Sequence, residues 1–131
     1  MNYKYVNEKN HLMLLALLKA YGIRRVIASP GGTNVTIVAS MQHDPYFEMY
    51  SCVDERSAAY MACGMAEQTG EPVVINCTGA TSSREYMAGL TEAYYRKLPI
   101  VAITSSQDIS RVGHLATQVT DRSVHPNDIV V

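Results

Sequence analysis

The chain has 131 residues, 47% hydrophobic and 18% charged, and its 11 Lys+Arg against 12 Asp+Glu leave a formal net charge of -1. That is the length of one domain, 1–131, with enough apolar residues to bury a real core. The balanced charge and the absence of any Lys/Arg run exclude a nucleic-acid grip, which needs a clustered basic surface to displace phosphate counterions.

A charged fraction below the roughly 25% of an ordinary globular domain leaves relatively little surface for water, which points to some surface being covered by a partner. Cys52, Cys63 and Cys77 are odd in number and have no Cys-x-x-Cys spacing, so neither a disulfide framework nor a zinc site is indicated. They read as small buried hydrophobes in a reducing compartment. The strongly apolar run Leu12 to Leu18 falls far short of the ~20 residues that span a bilayer, and Lys19 closes it. A cytoplasmic location without membrane contact is expected. No repeat, low-complexity tract or linker divides the chain.

Helix and strand alternate along the sequence. A helix is predicted over residues 8–21, with Leu14, Leu15, Leu17, Leu18 and Tyr21 apolar and Gly22 as its stop. Arg25-Val26-Ile27-Ala28 is a short strand ended by Ser29-Pro30-Gly31-Gly32. Residues 33–43 form a helix that Thr33 can cap and Asp44-Pro45 ends, and Tyr46 to Val53 is a second strand. The clearest helix is 54–69, where Ala58, Met61, Ala62, Met65, Ala66 and Thr69 recur at helical spacing before Gly70. Its small side chains, with Cys63 and Gly64, allow another backbone to come close, in a sheet or in a second subunit. Pro72 to Cys77 is a third strand. Ser82-x-x-Glu85 then has the form of a capping box opening a helix that runs to about Lys97. Ile100 to Thr104 is a fourth strand, and a short helix is expected near Thr117 to Ser123 in an otherwise irregular end.

Strands joined by such helices need crossover connections, so the fold class is α/β: a three-layer, doubly wound, mainly parallel sheet with helices on both faces. Ligands in such sheets sit beyond the carboxyl ends of the strands. The residues there are 29–34, Asp54-Glu55-Arg56, 78–81 and Ser105-Ser106-Gln107.

Gly31-Gly32 ahead of a helix could let backbone amides hold an anion, but the spacing matches neither Gly-x-Gly-x-x-Gly nor a P-loop. An ordinary strand-to-helix turn explains it equally well, and the same holds for Thr78-Gly79-Ala80-Thr81. Asp54 and Glu55 read first as a helix cap and a dipole-answering acid, an arrangement worth ~1 kcal/mol. Against that, a carboxylate at the buried end of so apolar a helix needs a hydrogen-bonding partner, and a ligand could be one. His11, His43, His114 and His125 are scattered, with no pair at metal-ligand spacing, and no metal-binding residue is expected in this chain.

Taken in order, Ser29-Pro30-Gly31-Gly32, the run from Asp54-Glu55-Arg56-Ser57-Ala58-Ala59 to Gly64-Met65-Ala66, Thr69-Gly70-Glu71-Pro72-Val73, Cys77-Thr78-Gly79, and Glu92-Ala93-Tyr94 to Leu98-Pro99-Ile100-Val101 resemble the pyrimidine-binding (Pyr) domain of thiamine-diphosphate enzymes. The resemblance runs from about Tyr21 to Gln118. Within that superfamily the Asp54–Ala59 motif and the Ser-Pro-Gly loop look most like the succinyl-enolpyruvyl-hydroxycyclohexene-carboxylate synthases, with acetolactate synthases and 2-oxo-acid decarboxylases more distant.

The resemblance implies a thiamine-diphosphate-binding fold and a catalytic role for Glu55. The matching glutamate hydrogen-bonds N1' of the cofactor's aminopyrimidine and favours its imino tautomer, which takes the thiazolium C2 proton so that the carbon can attack a 2-oxo acid. It further implies cofactor contacts from Glu55, Thr78, Gly79 and Ala80, and substrate contacts from Ser29, Gly31, Gly32, Thr33, Asn34 and Gln118. Mg2+ and the diphosphate would be held by a partner domain or subunit bearing Gly-Asp-Gly, a motif absent from this chain. The expected reaction is decarboxylation of a 2-oxo acid, with or without carboligation. The chain would be a fragment of a longer enzyme or one subunit of a split, homo- or hetero-oligomeric one, inactive alone, with helix 54–69 as much interface as core.

Three departures qualify this. The family's Thr-Ser-Gly loop is Thr78-Gly79-Ala80 here, Glu85 stands at a family Asn, and Thr33-Asn34 replaces the synthases' Ser-Arg pair, which argues against the same carboxylate-rich substrate. The competing readings are a non-catalytic assembly or regulatory Pyr subunit and a Rossmann-like nucleotide-binding module using Gly31-Gly32.

Overall fold

The computed structural model describes residues 7–79, 81–121, 123 and 126–130. Helix α1 (Lys9–Ala20) leads into strand β1 (Arg25–Ala28), followed by α2 (Val35–Gln42), β2 (Glu48–Ser51), α3 (Glu55–Thr69), β3 (Val73–Cys77), α4 (Thr81–Glu85), α5 (Met87–Arg96) and β4 (Ile100–Thr104). The four strands form one sheet in the order β2-β1-β3-β4, and every neighbouring pair is parallel.

Side-chain alternation along the strands assigns the helices to the two faces. Val26 and Val74 pack with Leu18 of α1, Ile37 and Met41 of α2, and Phe47. Ile27, Val73, Ile75 and Cys77 point the other way, into a cluster with Ala58, Ala59, Ala62 and Ala66 of α3 and Leu90 of α5. The expected three-layer α/β arrangement, parallel with helices on both faces, is therefore what the chain forms. All five residues of β3 are buried, as befits a strand covered on both faces and paired on both edges.

Local signals account for the element ends. Gly22 and Gly70 take left-handed backbone at φ 71° and 68°, ending α1 and α3 as glycine can without strain. Asp54 caps α3, its carboxylate accepting from the Ser57 N–H at 2.7 Å.

Several boundaries differ from the sequence expectation. The second strand is only Glu48–Ser51, because residues 44–47 form a turn that Asp44 closes through the Tyr46 N–H. Helix α2 starts at Val35 with Asn34, not Thr33, at its boundary. The helix expected from Ser82 to Lys97 is two, α4 and α5, interrupted at Tyr86. Ser82 lies inside α4 and accepts a hydrogen bond from Thr78 Oγ1 at 3.0 Å, so the capping box is replaced by a tie back to the β3 loop. No helix forms over the described part of 117–123; a single 3-10 turn, Ile109–Arg111, occurs earlier.

The buried face of α3 is Ala58, Ala59, Ala62, Cys63 and Ala66, while Met61 is 41% exposed. The small residues serve a close approach to α5. A Cβ at Gly89 would overlap the Ala59 methyl and lie 3.0 Å from its carbonyl carbon, and Cys63 Sγ donates to the Gly89 carbonyl at 3.3 Å. Gly64 has open space around it and takes no part.

Gly89→Ala is expected to lower stability by about 1–3 kcal/mol, since neither backbone can yield without parting the helices. Urea unfolding monitored by circular dichroism checks it, and an unchanged midpoint would count against tight α3–α5 packing.

Candidate functional site

Because every strand pair is parallel, the segments that follow the four strands emerge along one edge. β1 leads outward to β2, and β3 lies on the opposite side of β1, so the loops after β1 and β3 part toward opposite faces. A crevice at that switch point is where an open α/β sheet takes a ligand.

A buried amide network shapes the β1 loop. The Ser29 N–H extends the ladder to the Asn76 carbonyl at 2.8 Å. Asn34 donates to the Ser29 carbonyl at 3.2 Å and to Asn76 Oδ1 at 2.7 Å, and accepts from the Gly31 N–H at 2.8 Å. Asn76 donates onward to the Ile103 carbonyl at 3.0 Å. Both amides are fully buried, and with these partners their burial carries no desolvation penalty.

Gly31 is bound to its position by space as well. A Cβ there would overlap the Cγ2 methyl of Thr78, so the loops after β1 and β3 touch backbone to side chain. Gly32 and Thr33 are exposed, whereas Gly31, Thr78 and Gly79 are half-buried. Glu55 sits half-buried on the first turn of α3, at the same edge of the sheet. Ala80, expected as a cofactor contact, lies outside the described residues.

The structure thus brings Ser29, Gly31, Gly32, Thr33, Asn34, Glu55, Thr78 and Gly79 to one edge. Two of these have a different place from the one expected of a substrate contact. Asn34 and Ser29 are interior, at 1% and 2% exposure, and the Asn34 amide is fully occupied within the protein. Gln118 stands apart, in left-handed backbone at φ 56°, beside Ser106, Gln107 and Thr120 around a cavity of about 70 Å³ beyond β4.

Sequence reasoning missed Asn76 and Tyr86. The signal for Asn76 was present: one amide in the otherwise apolar run Val73-Val74-Ile75-Asn76-Cys77. Tyr86 had none, because it reads as one more helical tyrosine. It is completely buried at the α4–α5 junction. Burial, reinforced by the neighbouring Cys77 and by the Glu55 carboxylate and only partly opposed by Ser29, pushes its phenol far above the usual range, so it stays neutral.

Residues 11–125 match the family model described as thiamine pyrophosphate enzyme, N-terminal TPP binding domain. The chain belongs to this family. Over 114 residues it is 39% identical to a 2-succinyl-5-enolpyruvyl-6-hydroxy-3-cyclohexene-1-carboxylate synthase of Bacteroides thetaiotaomicron, covering 87% of this chain and 20% of the synthase. The synthase of the same name from Porphyromonas gingivalis is 37% identical over 107 residues, 82% of this chain and 18% of its own. The thiamine diphosphate-dependent 4-hydroxybenzoylformate decarboxylase of Rhodococcus jostii RHA1 superposes with a TM-score of 0.75 at 25% identity, covering 86% of this chain and 21% of that one. The benzoylformate decarboxylase of Polynucleobacter necessarius, with a TM-score of 0.71 and 21% identity over 83% of this chain and 20% of its own, shares the fold. The chain spans about a fifth of the length of these relatives.

At Gly31 a side chain would meet the Thr78 Cγ2 methyl, so the loops after β1 and β3 are in contact at the carboxyl edge, the edge at which Glu55 begins α3. Among the described residues no group of His, Cys, Asp and Glu could hold a metal ion, and no helix is long and apolar enough to cross a membrane.

The close contact is testable without any ligand. Gly31→Ala should lower Tm, and adding Thr78→Ser, which removes the opposing methyl but keeps the hydroxyl bonded to Ser82, should restore most of the loss. Equal Tm values for the single and double variants would show that the two loops do not press on one another.

Proposed function

We propose that this chain is the Pyr half of a thiamine-diphosphate-dependent enzyme that decarboxylates a 2-oxo acid, with or without carboligation, and that Glu55 is its catalytic residue. The observation that carries the reading is the setting of Glu55: half-buried, on the first turn of α3, at the carboxyl edge of the parallel sheet, in a chain of this family. Once bound, the cofactor would supply the electron sink for loss of carbon dioxide.

The chain's own residues bind and orient. Glu55 holds a proton against N1' of the aminopyrimidine ring. Thr78, Gly79 and Ala80 of the segment after β3 would be the cofactor's other contacts in this chain. Gly31, Gly32 and Thr33 meet the substrate from the β1 loop, which Ser29 and Asn34 hold in shape from within, and Gln118 contributes from the far side. The diphosphate and Mg2+ would belong to a partner domain or subunit bearing the Gly-Asp-Gly motif that this chain lacks. Residues 33 and 34 of the β1 loop carry no cation, so the substrate differs from the carboxylate-rich one of the synthases.

Glu55→Gln in the assembled enzyme should lower turnover at least on the order of 10²-fold, the contribution of a positioned proton-transfer group. Far-ultraviolet circular dichroism and Tm should stay unchanged, because Asp54 and not Glu55 caps α3. Retained turnover would sink the assignment. Titration of thiamine diphosphate with Mg2+, followed by calorimetry, should give saturable binding only when the diphosphate-holding half is present. Tight binding by residues 1–131 alone would overturn that division of the site.

A further inference from the structure

Two buried hydroxyls under the carboxyl edge, Ser29 Oγ and Tyr86 OH, in residues 2% and 0% exposed, have no well-formed hydrogen bond, although the phenol has Ser29 and Cys77 as near neighbours. Their placement follows from the fold. Ile27 faces the α3–α5 layer, and Ser29, two residues further along a ladder that still pairs with Asn76, faces the same side. Cys77 closes β3 on that side too, and Tyr86 enters the layer from the α4–α5 junction, packed in one cluster with Ala58 and Ala59. Those alanines are one turn along α3 from Glu55. The phenol therefore lies under the start of α3, where Ser29, Cys77 and the Glu55 carboxylate all act on it.

A buried hydroxyl without a partner is costly, and two together in a polar spot meet what an internal water needs: two or more hydrogen-bonding groups and protection from exchange. Phenylalanine would fill the same space at position 86 without the cost. We propose that Ser29 and Tyr86 are positioning residues for Glu55: their hydroxyls hold one water molecule, and that water hydrogen-bonds the Glu55 carboxylate from the protein side. The inference rests on the catalytic reading of Glu55. It gives the glutamate an inner contact that fixes its rotamer while its other oxygen faces the ligand. The water donates to the carboxylate and accepts from the phenol, so all three groups are satisfied by one molecule.

The test uses the full-length enzyme and three variants, Tyr86→Phe, Ser29→Ala and the double. Before any cofactor is added, each single variant should lower Tm, and the double should lower it no further than the worse single, because losing either hydroxyl already loses the water. A rise in Tm on either substitution, as removal of a truly orphaned hydroxyl would give, or additive losses, overturns the water site. A crystal structure should place a water within hydrogen-bonding distance of both hydroxyls and of Glu55, and direct contact between the hydroxyls with no water also overturns it. In the loaded enzyme, kcat should fall severalfold in both single variants with KM for the 2-oxo acid unchanged. Unchanged kcat beside coupled Tm losses would remove the positioning role and leave the water. Failure of the Glu55 reading is seen separately, as full turnover in Glu55→Gln.

Discussion

The pairing of Asn34 with Asn76 at 2.7 Å is the contact on which the ligand edge depends. β1 and β3 are neighbours in the sheet but send their chains to opposite faces, and the ladder between them reaches only to the bond from the Ser29 N–H to the Asn76 carbonyl. The amides supply that relation. Asn34 belongs to the start of α2 on one face, Asn76 to the central strand, and Asn76 reaches on to β4 through the Ile103 carbonyl. One continuous chain of hydrogen bonds thus crosses three strands at the carboxyl edge. In a water-free interior each such bond is strong, and a partner left behind costs about 1–3 kcal/mol, which makes the loop shape all-or-none. An apolar pair of similar size would bury as well but would not fix the direction of Gly31, whose N–H is tied to Asn34.

The second determinant is the thinness of α3. A helix lined with alanine lies closer to its neighbours than one lined with leucine, and Gly89 on α5 completes the approach. The result is to set the first turn of α3, and with it the half-buried Glu55, against the sheet edge. Larger residues on that face would push the helix, and Glu55 with it, outward. Tyr86 is the exception among these small side chains: a fully buried ring in the same cluster, whose phenol its burial keeps neutral.

The fold was legible because its signals are local. Alternation of β-rich runs with helical periodicity, glycine stops at Gly22 and Gly70, and the Asp54 cap each state an element boundary within a few residues. Parallel pairing then follows from chain length between strands. The family resemblance named the crevice residues because it rests on strings such as Asp54 to Ala59 and Cys77 to Gly79. What the sequence could not convey is which way a polar side chain turns. Asn34 and Thr33 look equally suited to a loop facing a ligand, and only the position of Asn76 across the ladder draws Asn34 inward. The Ser82–Glu85 spacing is that of a capping box, yet Ser82 is taken as a partner by Thr78, and the expected helix is interrupted at Tyr86.

The outer face of α3 gives the low charged fraction of the chain a physical location. Tyr60 and Met61 are 46% and 41% exposed there, and Val53 just ahead of the helix is 88% exposed. Val53 precedes Glu55 by two residues, and Tyr60 and Met61 lie within two turns of it, so a partner covering them would also approach the start of α3. Exclusion of water at that point is what a proton shared between a carboxyl group and a ring nitrogen requires, since bulk water would compete for both. The inner alanine face and the exposed Tyr60 and Met61 of one helix would then serve the same end: the first seats Glu55 against its own sheet, and the second offers apolar surface to the partner proposed to bring the other half of the site.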